Sequence, residues 1–329
     1  MRALITGAGG FVGGHLCAYL LAHTDWKLMG TVYPHPVDAQ PQEPRLRLRH
    51  ADLSDPEGVQ ALVGEVQPDC ILHLAAQSFV PASFADPWDT LQNNIRAQLN
   101  LLEAVRRSGR DVRVLVIGSN EEYGAPKPEE LPQTEESPLR PNNPYAVSKV
   151  AQDFLGLQYY LAYGLPVVRV RPFNHTGPGQ APRFVVPAFA SQVARIEAGL
   201  QEPVMKVGNL EAARDFTDVR DIVRAYYLAV TQGEPGEVYN LASGRPRPVR
   251  GLLEALLSHS RVEIRVEQDP ALYRPVDVPV AYGSAEKFSR LTGWKPEISL
   301  EQTLQDVLEY WRGQVGGSFQ TLKVAIGIA

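Results

Sequence analysis

The chain opens on RALITGAGGFVGGHLCAYLLAHT: a short apolar run, a glycine-rich turn and a stretch of apolar periodicity long enough for a helix. A strand that passes at once into a helix cannot form a hairpin with its successor. It must return through a crossover to a parallel neighbour. The same unit recurs along the chain. WKLMGTVY and PDCILHLAA read as strands, and a helix from Asp86 to Ser108 has Pro87 in its first turn and Gly109 at its exit. RVLVIGS is a further strand, the stretch NPYAVSKVAQDFLGLQYYLAYG is a helix capped by Asn143 and ended by Gly164, and PVVRVRPFN is again a strand. This alternation predicts an α/β fold, a doubly wound parallel sheet with helices on both faces.

After Asn174 the pattern loosens and Gly and Pro become frequent. EVYNLAS and the helix TDVRDIVRAYYLAVTQG can rejoin the sheet, whereas segments around 176–210 and 249–312 suit a smaller region interleaved with it. The tail RGQVGGSFQTLKVAIGIA has a glycine break and an apolar end, and no element is assigned to it. A net charge of −5 with no basic block argues against nucleic acid as a partner. Two cysteines, Cys17 and Cys70, are too few for a disulfide framework or a zinc cluster, so no metal is expected and a reducing, cytoplasmic setting is. The start lacks the shape of a signal peptide, and no apolar run is long enough to span a membrane.

The glycine turn departs from the G-x-G-x-x-G dinucleotide pattern, because Val12 stands at its sixth position. The spacing Gly7, Gly10, Gly13 forms a related pattern. Gly7 would permit the tight turn, Gly10 the approach of a pyrophosphate, and Gly13 close helix–strand packing. The N–H groups of Phe11 and Val12 would then face the phosphates at the helix N-terminus. The alternative is a tight turn with no ligand. At the end of the second strand, GTVYPHP offers neither an acid for a ribose hydroxyl nor an arginine for a 2′-phosphate, so NAD, NADP or both remain open. Asp52, in HADLSD, is placed either to meet the adenine or as an exposed turn residue.

Tyr145 and Lys149 stand four apart and so share one helix face. A free phenol titrates near 10, and an ammonium one turn away favours the phenolate, which would make Tyr145 a usable proton donor or acceptor. Such a pair is also common on ordinary helix surfaces. Upstream, VLVIGSNEEYG brings Ser119, Asn120 and Glu121 to the carboxyl end of a buried strand, where ligands bind in doubly wound sheets. Ser119 can bond the same substrate oxygen as Tyr145. Glu121 is either a carboxylate near the substrate or a solvated loop acid.

With these residues in place, the chain resembles the extended short-chain dehydrogenase/reductase family from Thr6 to about Trp311. The resemblance rests on TGAGGFVG, HLAAQSFV, GSNEEYG, PYAVSK, RPFNHTGPGQ, RDFTDVRD and TGWKP, in that order. It implies a Rossmann domain, a nucleotide-sugar substrate and a catalytic triad at Ser119, Tyr145 and Lys149. Further cofactor contacts are implied at Leu53, at Leu74, Ala75 and Ala76, and at Asn94 and Ile117. Gln77 would join Ser119, Asn120 and Glu121 at the sugar. The implied division is a dinucleotide-binding domain at 1–172 and 212–248, a nucleotide-sugar-binding domain at 173–211 and 249–315, and a tail at 316–329. In this family the helix DPWDTLQNNIRAQLNLLEAVRRSG and the Tyr145 helix pair across a two-fold axis, which implies a homodimer.

Within the family, FNHTGPGQ, KVGNLEAARDFTDVRD and LYRPVDVP look most like the GDP-mannose branch. That implies Asn174 and His175 near the sugar diphosphate. Val185, Lys206, Asn209 and Arg214 would line the GDP site, with Arg274 and Asp277 on phosphates and ribose hydroxyls. Members of the branch either dehydrate GDP-mannose across C4–C6 or reduce the 4-keto-6-deoxy product at C4. Glu121 occupies the position of the dehydratase's extra base. Phe11-Val12 in place of Gln-Asp, and VYPHP in place of basic residues, favour the reductase. A non-catalytic nucleotide-binding regulator is the remote alternative, and an intact triad argues against it.

Overall fold

The computed structural model describes residues 1–34, 37, 40–273 and 278–317. Its strands in chain order are β1 (Arg2–Thr6), β2 (Lys27–Val32), β3 (Leu46–His50), β4 (Cys70–His73), β5 (Arg113–Ile117), β6 (Val167–Pro172), β7 (Asn174–Thr176), β8 (Val204–Val207), β9 (Ala213–Asp218), β10 (Val238–Leu241), β11 (Pro246–Pro248), β12 (Arg265–Gln268) and β13 (Val280–Ala281). Seven of these form one parallel sheet in the order β3-β2-β1-β4-β5-β6-β10. The direction of winding reverses between β1 and β4, which opens a crevice at their carboxyl ends.

The helices are α1 (Phe11–His23), α2 (Pro56–Val66), α3 (Val80–Ala85), α4 (Pro87–Ser108), α5 (Pro144–Tyr163), α6 (Val185–Glu197), α7 (Val219–Gln232), α8 (Val249–Ser258), α9 (Glu286–Thr292) and α10 (Leu300–Val315). Side chains of α1 and α7 bury one face of the sheet, with Leu16, Leu20, Ile222 and Tyr226 in one cluster. Those of α2, α4 and α5 bury the other face, with Val59, Leu62, Leu101 and Tyr159. A third cluster joins α6, α8 and α10 to β8 and β9.

The two long helices start and stop where the sequence places them. Asp86 accepts from the Asp89 N–H, and α4 ends at Gly109 with φ of 63°. Asn143 accepts from the Ala146 N–H, and α5 ends at Gly164 with φ of 68°. Both glycines lie in the left-handed region, which a side chain penalises. The strand PDCILHLAA is shorter than expected and ends at His73.

The expected boundaries between the two halves also shift. Ala213–Asp218, within the 212–248 stretch expected in the dinucleotide-binding domain, form β9, which pairs with β7, β11 and β13 in a separate sheet. Conversely Phe288 and Trp294, assigned to the smaller region, pack into the core of the large sheet. Trp294 donates its indole N–H to the Asp221 carbonyl of α7 at 3.0 Å. Short strands after a Gly/Pro-rich stretch carry too little periodicity to say which sheet they join. The tail beyond Gly317, which received no assignment, lies outside the described residues.

Candidate active site

Three loops converge at the crevice. The first is the glycine turn after β1. Gly7 has φ of 71°, and a Cβ there would lie 3.0 Å from the Ala75 backbone. A Cβ on Gly13 would collide with the Gly7 carbonyl, so only glycine lets α1 sit this close to the turn. Gly10 is the N-cap of α1 and no side chain caps that end. The first-turn N–H groups of Phe11 and Val12 therefore have no intrahelical acceptor. Bare donors over a glycine cradle suit a pyrophosphate, so the turn fits a dinucleotide.

The second loop follows β4. Thr6 ties it to β1, since its hydroxyl accepts the Ala75 N–H at 3.1 Å and lies 2.8 Å from His73 Nδ1. Leu74, Ala75 and Ala76 are half-buried beside the glycine turn. Gln77 and Asn94 are placed here too, but their polar groups are already engaged. Asn94 is fully buried, accepts the Gln77 N–H at 2.8 Å and donates to Ser148 at 2.9 Å. The Gln77 side chain donates to Thr90 and accepts from the Phe79 N–H. Both residues hold the loop in shape. Asp52, two residues past β3, accepts the Ser54 N–H at 2.8 Å and is half-buried, and Leu53 after it is buried.

The third loop follows β5 and carries the reactive groups. Ser119 N-caps a short 3-10 turn, Asn120–Tyr123. Ser119, Tyr145 and Lys149 are all less than a tenth exposed. The Ser119 side chain lies beside the Tyr145 phenol. Lys149 Nζ donates to the Ile117 carbonyl at 2.9 Å and lies 5.9 Å from the centre of the Tyr145 ring. The expectation of a lowered phenol pKa is corrected here. Burial raises it, opposed by the Ser119 side chain, and Glu121 and Glu122 raise it further. Burial instead pulls the Lys149 ammonium down to about 8, with Glu122 working against that fall. The phenol thus keeps its proton at neutral pH, the state in which it can protonate a carbonyl oxygen.

Glu121 is half-buried, and one of its carboxylate oxygens accepts from Asn143 Nδ2 at 3.0 Å. Asn143 therefore links the Ser119 turn to the N-terminus of α5 while capping that helix. Asn120 is buried alongside. Asn174 and His175 open β7 directly after β6. His175 Nδ1–H donates to the Phe173 carbonyl at 3.0 Å, and burial lowers its pKa, so a neutral ring is left with a free Nε2 lone pair. The Asn174 side-chain oxygen is buried without a partner.

The remaining sequence candidates lie on the smaller sheets and α6. Val185 is the first residue of α6, Lys206 is exposed on β8, and Arg214 is half-buried on β9. Asn209 caps the turn between those strands by accepting the Glu211 N–H. Arg274 and Asp277 lie outside the described residues.

Sequence reasoning missed Glu122, Asp153, Arg169 and Arg171, which are buried together behind the triad. A signal was present: VVRVRP puts two arginines on one face of a strand that is apolar elsewhere, and buried arginines need acids.

Comparison with known proteins shows the family. Residues 4–307 match the model of the GDP-mannose 4,6 dehydratase family, to which the chain belongs, within the epimerase/dehydratase group of short-chain dehydrogenases/reductases. GDP-6-deoxy-D-mannose reductase of Pseudomonas aeruginosa is 41% identical, over 95% of this chain and 98% of that protein. GDP-mannose 4,6 dehydratase 2 of Arabidopsis thaliana is 32% identical, over 93% of this chain and 86% of that protein. The structure of RMD from Pseudomonas aeruginosa complexed with NADPH superposes with a TM-score of 0.84 at 40% identity, covering 95% of this chain and 99% of that one.

Proposed function

We propose that the protein is an NAD(P)H-dependent reductase that converts the C4 ketone of GDP-4-keto-6-deoxy-D-mannose to the alcohol of GDP-6-deoxy-D-mannose. The observation that carries the reading is the buried Ser119–Tyr145–Lys149 set at the carboxyl end of β5, in a chain 41% identical to a reductase of that name. The reduced nicotinamide supplies the hydride when bound. Gly7, Gly10 and Gly13 with the Phe11 and Val12 amides would hold its pyrophosphate. Lys149 would hold a ribose hydroxyl. Tyr145, protonated at neutral pH, gives its proton to the developing alkoxide, and Ser119 orients the same oxygen. Residues of α6, β8 and β9, with Arg274 and Asp277, would take the GDP moiety.

The dehydratase reading is kept alive by Glu121, which could serve as a base at C5. Two assays separate the readings. With GDP-4-keto-6-deoxy-D-mannose and NADPH we expect steady loss of NADPH absorbance. With GDP-mannose and NADP⁺ we expect little conversion. Robust conversion of GDP-mannose, abolished in Glu121→Gln, would replace the reductase by the dehydratase. A protein inert in both assays would be a nucleotide-binding regulator.

We also infer a homodimer. Val147, Phe154 and Leu161 recur every seventh residue of α5 and are 43%, 50% and 72% exposed, with exposed Leu99 on neighbouring α4. Such a stripe suits a second copy packed as a four-helix bundle. Sedimentation at micromolar concentration should give twice the 36.2 kDa chain mass, and a monomer would refute the dimer. Cys17 and Cys70 are both buried free thiols, in keeping with a cytoplasmic setting.

A further inference from the structure

Directly beneath the triad lies a closed set of four charged side chains that the proposed chemistry does not use. Glu122 and Asp153 are at most 1% exposed, and Arg169 and Arg171 are 6% and 4% exposed. Glu122 Oε1 accepts the Ser119 N–H at 2.7 Å, as one half of a capping box around the 3-10 turn. Its other oxygen faces Arg171 Nε at 3.1 Å. Arg171 donates from Nε to Asp153 Oδ2 at 2.8 Å, and from Nη1 to the Tyr123 hydroxyl at 3.1 Å. Arg169 donates to the other Asp153 oxygen at 2.7 Å.

Asp153 is not placed at random. Tyr145, Lys149 and Asp153 follow one another at intervals of four, so α5 presents phenol, ammonium and carboxylate in a row along one face. The Ser119 turn and α5 are thereby joined twice, through Glu121–Asn143 at the mouth and through Glu122–Arg171–Asp153 at the base. Room for the lower joint is made by Gly118, where a Cβ would fall on Glu122 Oε1. Burying charge is costly, and an apolar side chain of similar size would fill the space more cheaply. What an apolar residue cannot do is hold the Ser119 backbone.

We propose that Glu122 is a positioning residue for the reduction: it fixes Ser119 against Tyr145 by bridging the Ser119 amide to the Asp153–Arg171 pair under Lys149. This rests on the reductase reading. The groups facing Glu122 are Asp153, Lys149 and Tyr145 from α5 and Arg171 from β6, with Tyr123 beside it in its own turn. Burial, and after it the negative charge of Asp153, push the Glu122 carboxyl well above the usual carboxylate range. One of its oxygens accepts from Ser119, and the other lies against the Arg171 guanidinium. Glutamine keeps an acceptor for the Ser119 N–H at the same reach. Leucine has none, and aspartate is one methylene too short to reach Ser119 from beside Arg171.

The test uses the full-length protein, with NADPH oxidation by the 4-keto sugar nucleotide and NADPH affinity by fluorescence titration. Glu122→Leu should lower kcat by about thirtyfold or more with unchanged NADPH affinity, because a misplaced Ser119 loses the oriented contact. Glu122→Gln should stay within about threefold of the parent at pH 7, since the acceptor for the Ser119 N–H is kept. In a Ser119→Ala background Glu122→Leu should cost less than about threefold, because its effect runs through Ser119. A general packing role would instead give additive losses, and would overturn the proposal. So would full activity in Glu122→Leu, or a Gln variant as slow as the Leu variant. Should Glu122→Leu fail to fold, Glu122→Asp decides: a kcat loss of about tenfold at unchanged KM supports the proposal, and parental kcat refutes it. If the parent itself does not oxidise NADPH, the reductase reading falls. The bridge is then tested by amide exchange at Ser119 in Glu122→Gln and Glu122→Asp. Protection kept in the first and lost in the second supports it, and equal protection removes it.

Discussion

At the Tyr145 end of the cleft, Ser119, Tyr145 and Lys149 are buried and Glu121 is half-buried, with Lys149 held on the Ile117 carbonyl and Glu121 on Asn143. In the region proposed for the GDP moiety, Lys206 has 66% of its side chain exposed and reaches Asp269 only at 4.0 Å. The first region rests on a central parallel strand and a long capped helix. The second rests on a two-stranded sheet and on short strands joined by loops. Chemistry needs reacting atoms placed to a fraction of an ångström, which only packed elements supply. Recognition of a flexible, charged ligand tolerates, and often uses, side chains that are still free to move.

The contrast can be broken most sharply at Tyr145. Tyr145→Phe removes one hydroxyl from a packed site, so kcat should fall by about a thousandfold while NADPH affinity, measured by titration, stays within a few-fold. Near-parental turnover would show that the proton comes from elsewhere.

Burial also brings a titration at this end close to neutral pH. Lys149 is charged below about 8 and loses its proton as the pH rises through that value. Initial rates with saturating substrates should therefore be level from about pH 6 to 7.5 and fall about tenfold by pH 9. A flat profile to pH 9.5 would mean that the ammonium is not needed.

At the exposed end the expected effects shrink and change kind. Lys206→Ala should raise KM for the sugar nucleotide about fivefold and leave kcat alone, as for loss of a solvated charge worth about 1 kcal/mol. A loss confined to kcat would place Lys206 in the chemistry. Smallest of all should be the choice between NADH and NADPH, since GTVYP offers neither an acid nor an arginine to the adenosine ribose. The kcat/KM values should differ by only a few-fold. A preference beyond about a hundredfold, about 2.7 kcal/mol, would reveal a recognition group elsewhere.

The parts visible in the sequence are those governed by local rules. Crossover alternation announces a parallel sheet, caps mark the ends of α4 and α5, glycine spacing marks the turn, and an interval of four puts Tyr145 and Lys149 on one face. Each depends on residues a few positions apart, so it survives without knowledge of the rest of the chain. The tertiary structure decided what local rules cannot. It put β9 in a sheet of its own, sent Phe288 and Trp294 into the large core, and engaged Asn94 and Gln77 with each other. It also set the direction of the Tyr145 shift, because solvation depends on everything packed around a group and not on its helix neighbour alone. Arg171 and Glu122 are 49 positions apart and meet only because β6 lies beside β5. Contacts between distant segments follow from strand order, and strand order is a property of the whole chain.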